Sequence, residues 1–242
     1  MLQTLRKVIS TGTVTEDWHQ AVVPDRFRGE LTVKPEICNI CTKCIDICPV
    51  GALSLVDNKL NINHRACIFC GRCVEMCDKG ALDHSQNYLL AELYGAEPKV
   101  LGGKLRKKIR NILGRSLAIR HVDGGSCNAC DWEMVALGNP IYDLQQYGID
   151  FVASPRHADM LMVTGTVTRN LTQALKMTYE AVPDPKLVMA VGSCAASGQT
   201  FGKSYAVRGG ADAIVPVDIY VPGCPPRPQA LIYGLLLALD RV

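Results

Sequence analysis

The sequence predicts an α/β protein, a doubly wound parallel sheet preceded by a small α+β domain built on a cysteine repeat. Three observations carry that prediction. Four apolar runs, LAIRHV (117–122), MLMVTG (160–165), LVMAVG (187–192) and VDIYVPG (217–223), are interleaved with helix-compatible stretches, notably 169–181 and 226–239. That alternation builds parallel strands with helices on their faces. Eight of the twelve cysteines fall between Cys38 and Cys77, in two copies of one spacing. The other four, Cys127, Cys130, Cys194 and Cys224, each follow a predicted strand.

Taken in order, residues 1–30 read as a lead-in. Leu2, Leu5, Val8 and Ile9, beside Arg6 and Lys7, predict one short amphipathic helix. Residues 31–85 hold the repeat, in which ICNICTKCIDICPVGALSL is answered by ACIFCGRCVEMCDKGALDH. Such a duplication makes a small pseudo-symmetric unit. Residues 86–117 read as a basic connector. Within it Leu101, Leu105, Ile109, Ile112 and Leu113 recur at helical spacing, and Lys104, Arg106, Lys107, Lys108 and Arg110 fill much of the other face. Two readings fit that pattern: a solvated helix docked on its own domain, and a helix lying on an anionic membrane or a partner subunit. Residues 118–242 form the α/β domain. In a doubly wound sheet the loops at the carboxyl ends of the strands share one edge, so the last four cysteines are expected to converge there. Gly124, Gly125, Gly192 and Gly223 let the backbone approach a bulky group. Pro225 and Pro226 stiffen the loop after Cys224.

Composition narrows the function. Apolar residues make up 48% of the 242, enough for a real core, and the net charge of +3 is too mild to argue for a nucleic-acid partner. The basic N-terminus has neither the apolar centre of a secretory signal nor a twin arginine, and LIYGLLLAL is too short to span a bilayer. A soluble, reducing compartment is therefore expected, where clustered cysteines read as metal ligands rather than disulfides.

The chemistry lies in the spacings. Cys38, Cys41, Cys44, Cys48 and Pro49 form C-x2-C-x2-C-x3-C-P, the bacterial-ferredoxin run. Three thiolates of such a loop wrap one cubane, and the fourth leaves on a short helix towards the other. One [4Fe–4S] cluster is thus assigned to Cys38, Cys41, Cys44 and Cys77, and a second to Cys67, Cys70, Cys73 and Cys48. Asp78 stands where the second copy would carry proline, which leaves the turn after Cys77 open to differ. Zinc is the alternative for paired C-x2-C motifs, but two consecutive runs of four disfavour it. Any one of Cys127, Cys130, Cys194 and Cys224 could be a buried apolar cysteine. All four at strand ends point instead to a third [4Fe–4S] cluster.

The cysteine repeat, with TGTVTEDW and PDRFRGEL before it, resembles the two-cluster electron-transfer subunits of complex I and membrane-bound hydrogenases over residues 1–85. From about residue 117, CNACDWE, SPRHADMLMVTGTVTRN, VGSCAASG and PVDIYVPGCPPRP resemble the small subunit of energy-converting, group 4 membrane-bound [NiFe] hydrogenases. That family is similar to the complex I subunit carrying its terminal cluster. The resemblance implies a flavodoxin-like sheet, with a proximal [4Fe–4S] cluster on Cys127, Cys130, Cys194 and Cys224 beside a Ni–Fe centre. Complex I places two adjacent cysteines at the first ligand site, whereas Cys127-Asn-Ala-Cys130 has the hydrogenase-type spacing.

A Ni–Fe centre needs four cysteines of its own, and all twelve here are allocated, so that centre is expected on a partner. The implied partners are a [NiFe] hydrogenase large subunit, integral membrane subunits, and soluble ferredoxin as electron donor or acceptor. The implied location is cytoplasmic, peripheral on the inner face of the cell membrane, with ion translocation as a further possibility for the whole complex. Uptake-hydrogenase small subunits carry two more clusters in a C-terminal extension, but no cysteine follows Cys224. The fused ferredoxin, usually a separate polypeptide, is expected to supply that relay. A nickel-free complex-I-like or formate- or CO-linked redox complex, and a free-standing ferredoxin-like carrier, stay open.

Glu133, three residues after Cys130, matches an acidic position of the family. It reads either as a proton relay or as a carboxylate favoured by a helix N-terminus. His121 and His157 read as contacts to the cluster edge or a partner, or as hydrogen-bonded structural histidines. Arg156 and Arg169 read as contacts to the catalytic subunit or as plain surface arginines.

Overall fold

The computed structural model describes residues 2–94, 116–202 and 204–241. The helix expected over Leu101–Leu113 lies outside the described residues. The opening helix, Leu2–Thr11, forms where the amphipathic pattern predicts it, with none of its residues buried. The lead-in beyond it is anchored. Trp18, 3% exposed, sits in the core of the α/β domain with its ring 5.5 Å from that of Tyr233. Tyr88 donates its hydroxyl proton to the Trp18 carbonyl at 2.7 Å.

The cysteine repeat folds into two short antiparallel ladders. β1 (Leu31–Val33) pairs with β4 (Leu82–His84), and β2 (Leu53–Val56) with β3 (Lys59–Ile62). The tight turn between β2 and β3 has positive φ at both Asp57 and Asn58, as a two-residue hairpin loop favours. Two four-residue helices, Lys43–Asp46 and Arg72–Glu75, occupy equivalent places in the two repeats. Leu31, Leu53 and Leu82 fill the small core together with Cys73.

The α/β domain is built on a six-stranded sheet. Its strands are β5 (Glu92–Leu93), β6 (Leu117–Asp123), β7 (Ile149–Phe151), β8 (Met160–Thr164), β10 (Leu187–Val191) and β12 (Ile219–Val221), in the spatial order β5-β12-β10-β8-β6-β7. A separate antiparallel ladder joins β9 (Val167–Thr168) to β11 (Val207–Gly209). All the main-sheet pairings are parallel except β12 with β5. Numbered along the chain, the five parallel strands lie in the order 2-1-3-4-5, the flavodoxin-like arrangement. Every residue of β8 and β10 is buried, because helices cover both faces of the sheet. Met160, Met162, Met189 and Val191 face the helix Pro228–Ala238, while Leu161, Val163, Val188 and Ala190 face the opposite core, the period of two expected of strands.

Two strands of the main sheet, β5 and β7, were not anticipated, nor was the small β9–β11 ladder. β5 arises inside the stretch expected to be connector and adds an antiparallel edge to a sheet expected to be parallel throughout. β7 is three residues long. Both are too short to leave a periodic signal and exist because a neighbour pairs with them. The run LIYGLLLAL belongs to the helix Pro228–Ala238, which is buried in the core. Among the described residues no helix is long and apolar enough to cross a membrane.

Candidate iron–sulfur sites

The duplicated spacing produces two equivalent cysteine pockets. Cys38, Cys41, Cys44 and Cys77 line one cavity, walled by Leu55, Leu60, Met76 and Leu82. Cys48, Cys67, Cys70 and Cys73 line another. The last cysteine of each repeat therefore lines the cavity of the other repeat's first three.

Local backbone geometry explains the wrap. Ile40 and Thr42 in the first repeat, and Phe69 and Gly71 in the second, all have φ between 54° and 78°. Isoleucine and phenylalanine seldom adopt that left-handed region, and such residues persist where surrounding structure enforces them. Main-chain N–H groups also turn towards sulfur. Ala52 donates to Cys48 Sγ, Ala81 to Cys77 Sγ and Phe69 to Cys67 Sγ, each at 3.3 Å. The first two are symmetric across the duplication. Donors of this kind stabilise thiolate and tune a bound cluster.

The turn after Cys77 does not differ as the missing proline allowed. Gly80 takes a φ of 62° against 58° for Gly51, and the N–H···S bond is kept. Asp78 uses its side chain elsewhere, accepting a bond from Lys43 Nζ at 2.6 Å.

Burial pushes the thiols of Cys67 and Cys73 up to about 11, with neighbouring cysteines adding to the effect. Cys44 is raised in the same way. At Cys77 burial also acts upwards, but the N–H groups of Ala81, Leu82, Lys79 and Gly80 outweigh it and bring the thiol below its usual value. Arg28 Nη1 donates to the Cys70 carbonyl at 2.5 Å and so braces the second loop.

The remaining four cysteines meet at the carboxyl edge of the sheet. Cys127 and Cys130 follow β6, Cys194 follows β10 within the helix Gly192–Ser197, and Cys224 follows β12. Burial first, with Cys194, Cys224 and Cys127 adding to it, pushes the Cys130 thiol up to about 12. Burial likewise raises Cys194 and Cys224, with Cys127 adding to each. These thiols are close enough to sense one another. Gly192, at φ 81°, lies so near that a Cβ there would sit 2.5 Å from Cys130 Sγ. Cys127 and Cys224 are exposed, and so are Trp132 (73%) and Val135 (70%) on the neighbouring helix Ala129–Ala136.

The second and third cysteine sets adjoin. Cys224 is among the charges felt by Cys67, and Ser193 Oγ donates to the Cys67 carbonyl at 2.6 Å. Elsewhere on the same seam Arg65 stacks 3.9 Å over Tyr220 and donates from Nε to Glu92 at 2.6 Å. Arg227 packs on Phe27 and Tyr88.

The other candidates fare differently. Glu133 is partly buried. Its carboxyl is raised above the usual range by burial, while Arg227 pulls it back. His121 is a hydrogen-bonded histidine. Its Nε2 lies 2.8 Å from Thr164 Oγ1, which donates to Asp131 Oδ1 at 2.7 Å, and Asp131 accepts from Ser126 Oγ at 2.8 Å. Burial lowers the His121 pKa, with Asp131 acting against that shift. Arg156, His157 and Arg169 are not buried. Sequence reasoning missed Ser193, Thr164 and Asp131. A serine beside a candidate ligand carries no signal until its distant partner is known.

Comparison with known proteins places these features in two families. Residues 30–78 match the 4Fe-4S dicluster domain, and residues 127–238 match the family described as NADH ubiquinone oxidoreductase, 20 Kd subunit. The probable membrane-bound hydrogenase subunit mbhJ of Pyrococcus furiosus is 46% identical over 142 residues, covering 57% of this chain and 85% of that protein. Formate hydrogenlyase subunit 7 of Escherichia coli is 46% identical over 135 residues, covering 56% of this chain and 51% of that protein. An NADH-quinone oxidoreductase subunit of Bacteroides thetaiotaomicron is 52% identical over 116 residues, covering 48% of this chain and 59% of that protein. The chain thus spans only about half the length of the latter two relatives.

Proposed function

This chain belongs to the family of the NADH ubiquinone oxidoreductase 20 kDa subunit and its membrane-bound hydrogenase relatives, and on that premise we propose that it is the electron-transfer subunit of a membrane-bound [NiFe] hydrogenase. Its twelve cysteines would hold three [4Fe–4S] clusters. Cys38, Cys41, Cys44 and Cys77 would bind the first, Cys48, Cys67, Cys70 and Cys73 the second, and Cys127, Cys130, Cys194 and Cys224 the third. When bound, such clusters accept and release single electrons over a wide range of potential.

The observation that carries this reading is the crossing of cysteines between repeats, with four thiols lining each of two cavities. Among the described residues no three His, Cys, Asp or Glu side chains gather closely enough for one metal ion. Thiols spread around a cavity suit a group that offers a separate iron to each. The donor set fits too. The N–H groups of Ala52, Phe69 and Ala81 supply bonds to sulfur, which favour the thiolate that iron takes.

The rest of the chain positions these thiols. The flavodoxin-like sheet brings the loops after β6, β10 and β12 to one edge. Exposed Trp132 and Val135 beside Cys130 offer an apolar face to a large subunit, and a Ni–Fe centre would reside on that partner. Exposed Cys41, in the first set, offers an approach to soluble ferredoxin. The exposed row Leu2, Leu5, Val8 and Ile9 beside Arg6 and Lys7 suits a helix resting on a membrane surface, hence a peripheral place on the inner face.

A second reading, a nickel-free complex-I-like assembly, is favoured by the 52% identity to an NADH-quinone oxidoreductase subunit. Anaerobic co-purification with iron and nickel analysis separates the two. About twelve irons per chain, with nickel in the complex, is the expected result. Zinc, or about eight irons, contradicts the three-cluster reading. Full iron without nickel selects the second reading.

A further inference from the structure

Ser193 joins three loops that the sheet brings together. Its side chain, 1% exposed, donates to the Cys67 carbonyl at 2.6 Å, with the Gly223 carbonyl as an alternative acceptor at 3.1 Å. Its own N–H donates to Gly223 at 2.8 Å, and its carbonyl accepts from Ser197 Oγ at 2.9 Å. The residue after Ser193 is Cys194, and the residue after Gly223 is Cys224. One hydroxyl therefore ties the main chain of a second-set cysteine to the loops of two third-set cysteines. The two ends of that bond are 126 residues apart in sequence.

Resting on the electron-transfer reading, we propose that Ser193 is the positioning residue for electron exchange between the second and third cysteine sets. Its hydroxyl holds the Cys67 loop against the Cys194 and Cys224 loops, and so fixes the separation and electronic contact of whatever those thiolates bind. In the exchange one electron, delivered by a low-potential one-electron carrier, leaves the reduced second site and reduces the third. No covalent bond forms or breaks, and Ser193 keeps its proton.

Adhesion of the two domains does not depend on this bond alone. Arg65 on Tyr220 and Glu92 spans the same seam, and Arg227 packs on Phe27 and Tyr88 beside it. The Cys67 carbonyl itself is shielded, since Cys67 is 8% exposed, so water is a poor substitute for the serine. Removing the hydroxyl should loosen the Cys67 loop locally while the domains stay docked.

The test uses the full chain, purified anaerobically and reconstituted with iron and sulfide, as wild type, Ser193→Ala and Ser193→Thr. Iron and sulfide content, the magnetic interaction between reduced clusters in electron paramagnetic resonance spectra, and the rate of electron redistribution after flash reduction are measured. Ser193→Ala should keep about twelve irons yet show a weakened interaction and a several-fold slower redistribution. Ser193→Thr, which keeps the hydroxyl, should restore both. Ser193→Ala with full iron and wild-type interaction and rate overturns the proposal. If Ser193→Ala sheds iron, Ser193→Thr decides: full iron with wild-type coupling supports the proposal, and full iron with coupling lost overturns it. A wild-type chain that binds fewer than three clusters contradicts the functional reading itself, whatever the variants do.

Discussion

Gly192→Ala should empty the third cysteine set while leaving the other two intact. Two separate costs arise. An L-residue held at a φ of 81° is strained by roughly 1–2 kcal/mol. The second cost is steric and falls on a ligand. The new Cβ would stand 2.5 Å from Cys130 Sγ, against 3.4 Å for ordinary contact, so the sulfur must retreat by about 0.9 Å. Metal–ligand distances tolerate only ~0.2 Å, so Cys130 cannot yield that far and still bind. Gly51→Ala is the control. Gly51 has a φ of 58° and nothing within 4 Å of its would-be Cβ, so it bears only the backbone cost. Iron analysis and thermal unfolding of both variants make the comparison. Gly192→Ala should fall from about twelve irons to about eight, and Gly51→Ala should keep all of them. Strain alone should lower the unfolding midpoint of each by roughly 2–8 °C, at ~2–4 °C per kcal/mol for a chain of this size. Gly192→Ala with full iron would refute this reasoning, because Cys130 would then have yielded to the new Cβ without loss of the bound group.

Three further outcomes follow from the same geometry. Cys77→Ser should disturb the site lined by Cys38, Cys41 and Cys44 and spare the one lined by Cys67, Cys70 and Cys73; Mössbauer spectra showing loss at its own repeat instead would disprove the crossing. Thr164→Val removes a fully buried hydroxyl that links His121 to Asp131, and should cost about 1–3 kcal/mol in thermal or denaturant unfolding without loss of iron. Glu133→Gln tests the proton-relay reading, which expects lower hydrogen turnover in the assembled complex at unchanged iron content; wild-type output would return Glu133 to a structural role.

Much of the site was legible because its determinants are local. The C-x2-C-x2-C-x3-C spacing closes within a dozen residues, so both repeats could be read directly. β8 and β10 were legible for another reason: strands buried on both faces must be apolar throughout, and Met160–Thr164 and Leu187–Val191 nearly are. Convergence of Cys127, Cys130, Cys194 and Cys224 followed from topology once those strands were placed. What stayed hidden depends on long-range pairing. Glu92–Leu93 becomes a strand only because β12 offers an antiparallel edge, and Trp18 enters a core whose other members lie mostly beyond residue 117. Asp78 misled differently. Replacement of proline suggested a changed turn, yet the turn is closed by Gly80 and the Ala81 N–H, neither of which the replacement touches.

The pattern of exposure along the proposed relay gives the fold a functional logic. A one-electron wire needs contact with other proteins at its ends and insulation in its middle. In the first set Cys41 is exposed; in the second, Cys67 and Cys73 are buried; in the third, Cys127 and Cys224 are exposed again. The duplication alone would make the first two sets alike. Cys73 is buried in the core of its own domain, and the second domain adds cover at Cys67, whose carbonyl accepts from the buried Ser193 hydroxyl. Joining both domains in one chain keeps that cover in place at an effective concentration independent of how much protein is made. The seam between the domains, acting with the small core around Cys73, therefore sets the second site apart from the two exposed ends.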